Sequence, residues 1–212
     1  MALGRPGAGH GGIMMQTTIS YFPTISQLAS YWAEPTVEIE ACEHYQKGGF
    51  RNRCLIAGPN GIQRLSIPLE KGKHQRTPIR DVRISWTENW SLVHWRTVQT
   101  AYGSAPYFEH FQEELRLLYE KKQRYLFDFN LELWDWVHRR TGWKGQLTLS
   151  SSYQSLSAEE TGICRPYQQV FQEKNGFLAG LCSLDLLMCV GKQASHYLGG
   201  GMLGSLKSGN DQ

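Results

Sequence analysis

The chain has 212 residues, 41% of them hydrophobic and 12% aromatic, which supports a substantial core and argues against disorder. Its formal charge of +3 is too small to imply nucleic-acid binding, so any basic function must come from local clustering. The five cysteines (Cys42, Cys54, Cys164, Cys182 and Cys189) include no Cys-x-x-Cys pair; this excludes a zinc site on that motif, and reduced thiols in a cytoplasmic protein are the simpler expectation.

Residues 1–14 are Gly/Ala-rich and read as a flexible leader, with Met14 or Met15 nearer the true start; no apolar stretch marks a signal peptide. A short strand is expected from Thr17 to Phe22, ending at Pro23. A helix follows, capped by Ser26 and stopped after Trp32 by Pro35. Val37, Ile39 and Ala41 alternate with Glu38, Glu40 and Cys42, a period of two that predicts a strand with one apolar face. Arg53 to Ala57 and Gln63 to Leu69 flank Pro59-Asn60-Gly61, where Asn-Gly supplies the positive φ angles of a hairpin turn. Val82, Ile84 and Trp86 mark another strand.

Helices dominate the next region. Ser91 caps a helix carrying Leu92, Trp95, Gln99 and Tyr102 on one side, and Pro106 suits the first turn of the next. There Phe108, Phe111, Leu115 and Leu118 recur at spacings of three and four; a third helix buries Leu126, Phe129, Leu133 and Val137 and ends at Gly142. Leu147 and Leu149 predict a late strand, Ser150 to Ala158 a mobile connection, and Leu184 to Val190 a short apolar helix capped by Ser183 and closed by Gly191. The longest apolar region, Phe177 to Val190, contains Asp185 and is too short for a membrane span. This order predicts one α+β domain over residues 15–198, a mixed, largely antiparallel sheet packed by helices; residues 199–212 form a disordered Gly/Ser-rich tail.

The densest chemical signal is Lys47-Gly48-Gly49-Phe50-Arg51-Asn52-Arg53. Forked guanidinium groups and glycine-rich main chain are suited to an anion. In a strand-like stretch Arg51 and Arg53 project to one face and suit phosphate or carboxylate, Asn52 fixes the loop, and Arg64 extends the patch across the hairpin; the alternative is a solvated basic loop. His94 is the best candidate proton carrier, against an ordinary structural role; Arg96 lies about 200° from it around a helix. Asn130 interrupts an apolar stripe and either bonds a substrate or ties its helix to a loop. Asp185 poses the same question, or serves a helix N-terminus. Glu38, Glu40, Glu43 and His44 read as a solvated acidic face before a metal or acid–base site. No metal-ligand run, Gly-x-Ser-x-Gly elbow, Walker loop or dinucleotide fingerprint is present; neither a metal nor a cofactor is expected.

The ordered motifs resemble the WbqC-like family of bacterial proteins. The resemblance runs through Tyr21-Phe22-Pro23, Lys47, Arg51-Asn52-Arg53, Asn60-Gly61, Leu65-Ser66-Ile67-Pro68 and His94-Trp95-Arg96. It continues through Ala101-Tyr102, Ala105-Pro106-Tyr107-Phe108, Phe129-Asn130, Gly176-Phe177 and Ser183-Leu184-Asp185-Leu186-Leu187. It implies a place in O-antigen and surface-polysaccharide synthesis, and hence a nucleotide-activated sugar. The polar residues it carries over are Tyr21, Lys47, Arg51, Asn52, Arg53, His94, Arg96, Tyr102 and Asn130. The leading expectation is acyl or aminoacyl transfer, with an acyl carrier as possible donor, to a nucleotide-linked amino sugar. Arg51, Arg53 and Lys47 would hold the diphosphate, Asn52, Asn130 and Tyr102 would orient sugar hydroxyls, and His94 would act as base. The rival is a non-catalytic protein that binds a phosphorylated glycan intermediate or a partner enzyme; a single-stranded nucleic-acid binder ranks last.

Overall fold

A computed structural model describes residues 15–70, 76–156 and 164–199. The expected leader, nearly all of the tail and the end of the Ser150–Ala158 connection lie outside the described residues. Strand β1 (Met15–Thr18), helix α1 (Ile25–Tyr31) and strand β2 (Thr36–Glu40) form a single β-α-β unit with parallel strands. Thr24, rather than Ser26, caps α1: its Oγ1 accepts the Gln27 N–H at 3.0 Å. Strand β5 (Gln146–Leu149) joins the other side of β2, also parallel, in the order β1-β2-β5. Val37 and Ile39 of β2 are fully buried, as their alternation requires.

The Asn-Gly hairpin is present as β3 (Arg53–Gly58) and β4 (Gly61–Ser66), antiparallel and separate from the parallel sheet. Both parallel and antiparallel pairing therefore occur, but in two sheets rather than one. Cys54, Ile56 and Leu65 fill the core from one hairpin face, while Arg53 pairs with Ser66 and Leu55 with Arg64 on the other. The stretch around Val82, Ile84 and Trp86 makes only isolated bridges, to Leu69 and Tyr125, so the expected strand is absent. Val82 and Ile84 are still buried, so the period of two here reports packing without a partner strand long enough to make a ladder.

Helices α2 (Trp90–Tyr102), α3 (Phe108–Glu120) and α4 (Leu126–Thr141) pack against this frame. Ser91 falls inside α2, with Asn89 at its N-cap, and Pro106 lies ahead of α3. The apolar stripe of α4 is buried as its spacing predicts, and Trp134 and Trp136 widen it. Gly142 ends α4 at φ +80°, a left-handed conformation that spares glycine the Cβ clash, and donates to the His138 carbonyl at 3.0 Å. Helix α5 (Gln172–Asn175) is one turn. Helix α6 (Ser183–Val190) has every residue buried, which explains why it reads as apolar on all sides. A 3₁₀ turn (Gly191–Gln193) leads into α7 (Ala194–Leu198).

Candidate anion-binding site

The Lys47–Arg53 segment is a turn rather than a strand, and β3 begins only at Arg53. Arg51 and Arg53 consequently do not share a face. Arg51 turns inward and is 9% exposed; its Nε donates to Glu43 Oε1 at 2.7 Å and its Nη2 to Glu43 Oε2. Both oxygens of the carboxylate are engaged by the guanidinium fork, so Arg51 is already neutralised by a residue that is 3% exposed. The two glycines serve this arrangement. Gly48 sits at φ +94°, and a Cβ on Gly49 would stand 3.0 Å from Arg51 Nη1. The glycines thus shape the turn and leave room for the inward guanidinium.

Motif side chains from distant parts of the chain reach the main chain of this hairpin from behind. Asn130 Nδ2 on α4 donates to the Arg51 carbonyl at 2.7 Å, and the Tyr21 N–H donates to the Phe50 carbonyl at 2.8 Å. Asn52 Nδ2 donates to the Ile67 carbonyl at 2.9 Å, the Ile67 N–H returns a bond to the Asn52 carbonyl at 2.8 Å, and Tyr45 donates its hydroxyl to Asn52 Oδ1 at 2.9 Å. The Ala57 N–H donates to the Tyr102 hydroxyl at 3.1 Å. Of the alternatives open for Asn130, the helix-to-loop tie is the one its geometry displays.

His94 lies inside this arrangement, 5% exposed. Its Nδ1 is 3.0 Å from the Tyr21 hydroxyl, which is 2.7 Å from the hydroxyl of Tyr119. Burial pulls its pKa down to about 4, with main-chain hydrogen bonding at Ser66 opposing the shift, so the ring is neutral at pH 7. Trp90 packs edge-on at 5.1 Å between ring centroids. His94 thus has the charge state of a base but is 5% exposed, with Nδ1 engaged by the Tyr21 hydroxyl. Tyr21 and Tyr119 are pushed well above the ordinary tyrosine range, chiefly by burial, and keep their protons.

Asp185 is fully buried near the start of α6 and accepts from Tyr102 at 3.0 Å, Tyr167 at 2.5 Å and Gln169 at 2.9 Å. Burial raises its pKa, and the three donors partly counter that. Sequence reasoning noticed Asp185 but had no signal for Tyr167 and Gln169, which stand in an irregular segment. The acidic group is also inward: Glu40, 1% exposed, accepts from Cys42, Ser150 and Gln154. It ties β2 to the segment after β5, so the expectation of a solvated acidic face does not hold for Glu40 or for Glu43. No cluster of metal-ligand residues occurs among the described residues.

What remains outward is short. Lys47 is exposed and Arg53 half-buried; neither has an ion pair or side-chain hydrogen bond to another described residue, and Arg64 is exposed on the same hairpin face as Arg53. Arg96 is exposed on α2, whose buried residues include His94 and Trp95. The molecule is thus an α+β protein in which motif residues brace one basic hairpin. Residues 19–166 match the model of the WbqC-like protein family, and the chain belongs to that family. Over 81 residues the chain is 33% identical to a protein of Mycobacterium tuberculosis described as "Uncharacterized protein Rv1507c"; the match covers 37% of this chain and 34% of that protein. No solved structure matches the chain. Among the described residues no helix is long and apolar enough to cross a membrane.

Proposed function

We propose that this protein works in the cytoplasm on surface-polysaccharide precursors of the O-antigen type, holding the diphosphate of a nucleotide-linked amino sugar at the outer side of the Lys47–Arg53 turn. The observation that carries this reading is the division of cations within that turn. Arg51 is spent on Glu43, whereas Lys47 and Arg53 keep free donors on a main chain held from behind by Asn130 and Asn52. A braced turn presents its cations with little ordering entropy left to lose on binding. Arg64 extends the surface, and Arg96 is a more distant candidate. Tyr21, Arg51, Asn52, Tyr102, Asn130 and His94 act here as positioning residues.

Two readings share this surface. In the first, acyl or aminoacyl transfer from a carrier-bound donor takes place on the sugar amine. In the second, the protein binds the precursor without turnover. The enclosure of His94 favours the second, because a general base must come within hydrogen-bond reach of the proton it removes. The test is calorimetric titration with uridine-diphosphate amino sugars, followed by a turnover assay with acyl and aminoacyl donors. Arg53→Ala and Lys47→Ala should each weaken binding about tenfold, the size of one lost charge-assisted contact, while Arg116→Ala on α3 should not. Undiminished affinity in both Arg53→Ala and Lys47→Ala would refute the site.

A further inference from the structure

A second basic feature lies at the carbonyl end of α4, where a cleft of about 250 Å³ opens between α3, the end of α4 and the Gly191–Gln193 turn. Its walls include His110, Phe111, Arg139, Arg140, Gly142 and Lys192, with no acidic side chain among them. We propose that this cleft is a binding site for a phosphate group, either free or carried on a small molecule.

Arg140 is held in place from one side. Its Nη2 donates to Glu114 Oε1, and the other oxygen of Glu114 accepts the Trp136 indole N–H at 2.8 Å. That chain fixes the guanidinium plane before any ligand arrives. Arg140 Nε is buried and has no hydrogen-bond partner among the described residues. Because Nε is enclosed, an anion in the cleft would meet the exposed part of the Arg140 side chain, which is 32% accessible. Lys192 is exposed and makes no ion pair with a described residue, so its charge is uncompensated. His110 adds a second nitrogen-bearing ring and is likewise exposed. Arg139 contributes less, being paired with Asp135 at 3.0 Å.

Size and shape set the ligand class. The volume falls below the roughly 300 Å³ at which pockets for drug-sized ligands begin, so a phosphate group fits and a whole nucleotide sugar does not. A rigid guanidinium fork beside a mobile ammonium suits a tetrahedral anion with several acceptor oxygens. Gly142, with its left-handed backbone, puts no side chain into the opening.

The experiment is a ³¹P NMR titration of the full chain with inorganic phosphate and, in parallel, glucose 1-phosphate. Saturable binding is expected, and Lys192→Glu should raise Kd at least tenfold. Arg140→Gln should do the same, but Lys192→Glu decides the matter because an exposed lysine can be reversed without unfolding the chain. Arg116→Ala, whose side chain pairs with Glu113 and Glu120 and does not line the cleft, should leave phosphate affinity unchanged. Lys192 lines the cleft and is no part of the Lys47–Arg53 turn, so the charge reversal reports on the cleft alone. Absence of saturable binding, an unchanged Kd in folded Lys192→Glu, or an equal loss in Arg116→Ala would each overturn the proposal.

Discussion

The inner and outer sides of the 47–53 turn use the same residue types for opposite ends. Arg51 and Arg53 stand two residues apart, yet one is enclosed against Glu43 and the other opens the outward face of β3. Inside, the motif polar groups bond other parts of the chain. Asn130 and Asn52 reach main-chain carbonyls, and His94 and Tyr119 meet the hydroxyl of Tyr21. Outside, Lys47 and Arg53 have no such partner among the described residues. A residue's membership in a functional-looking motif therefore does not tell which side of a turn it serves. Substitutions on the inner side should be read in stability, and those on the outer side in binding.

The largest effect should come from Glu43→Ala. It strands the buried Arg51 guanidinium, and breaking such a pair costs about 3–5 kcal/mol. Urea denaturation should show the loss, and Glu43→Ala combined with Arg51→Met should recover much of it. If the single substitution proves neutral, the pair is not what holds the turn.

Acid comes next. His94 and His138 have their pKa values lowered by burial to about 4, so the unfolded chain takes up their protons first as pH falls. Their contribution is complete above about pH 6.5 and is lost progressively down to about pH 4, by up to about 3 kcal/mol for each ring. Denaturation midpoints between pH 7 and pH 4.5 check this. A flat profile over that range would mean the rings are not buried neutral.

The hairpin, the three long helices and the apolar α6 were legible in the sequence because each rests on local chemistry: Asn-Gly in a tight turn, apolar residues at spacings of three and four, and glycine after α4. The pairing of β1 with β2 in parallel was not, since alternation reports a buried face and says nothing of strand direction. The same limit made Val82, Ile84 and Trp86 look like a strand. In the site, the residues were nameable but their orientation was not. Nothing local to Arg51 announces Glu43 as its partner, because the intervening turn sets the direction of the side chain. The spacing from Glu43 and the adjacent glycines are signals only once the turn is known.

Smaller effects sharpen the contrast. Tyr21→Phe keeps the ring and removes the hydroxyl between His94 and Tyr119, so a loss of about 1–2 kcal/mol is expected in denaturant, with the fold intact. Arg53→Ala should shift stability by no more than about 0.5 kcal/mol in the same experiment, as surface substitutions do. A large destabilisation by Arg53→Ala would place that side chain on the inner side after all.

The most direct measurement is residue-resolved amide hydrogen exchange in Asn130→Ala. The substitution frees the Arg51 carbonyl, so protection should fall selectively at the Tyr21, Arg53 and Ile67 amides, whose acceptors lie on the same turn, while the β1–β2 ladder keeps its exchange rates. Unchanged protection at those three amides, or an equal loss throughout the chain, would contradict an account in which α4 braces the turn from behind.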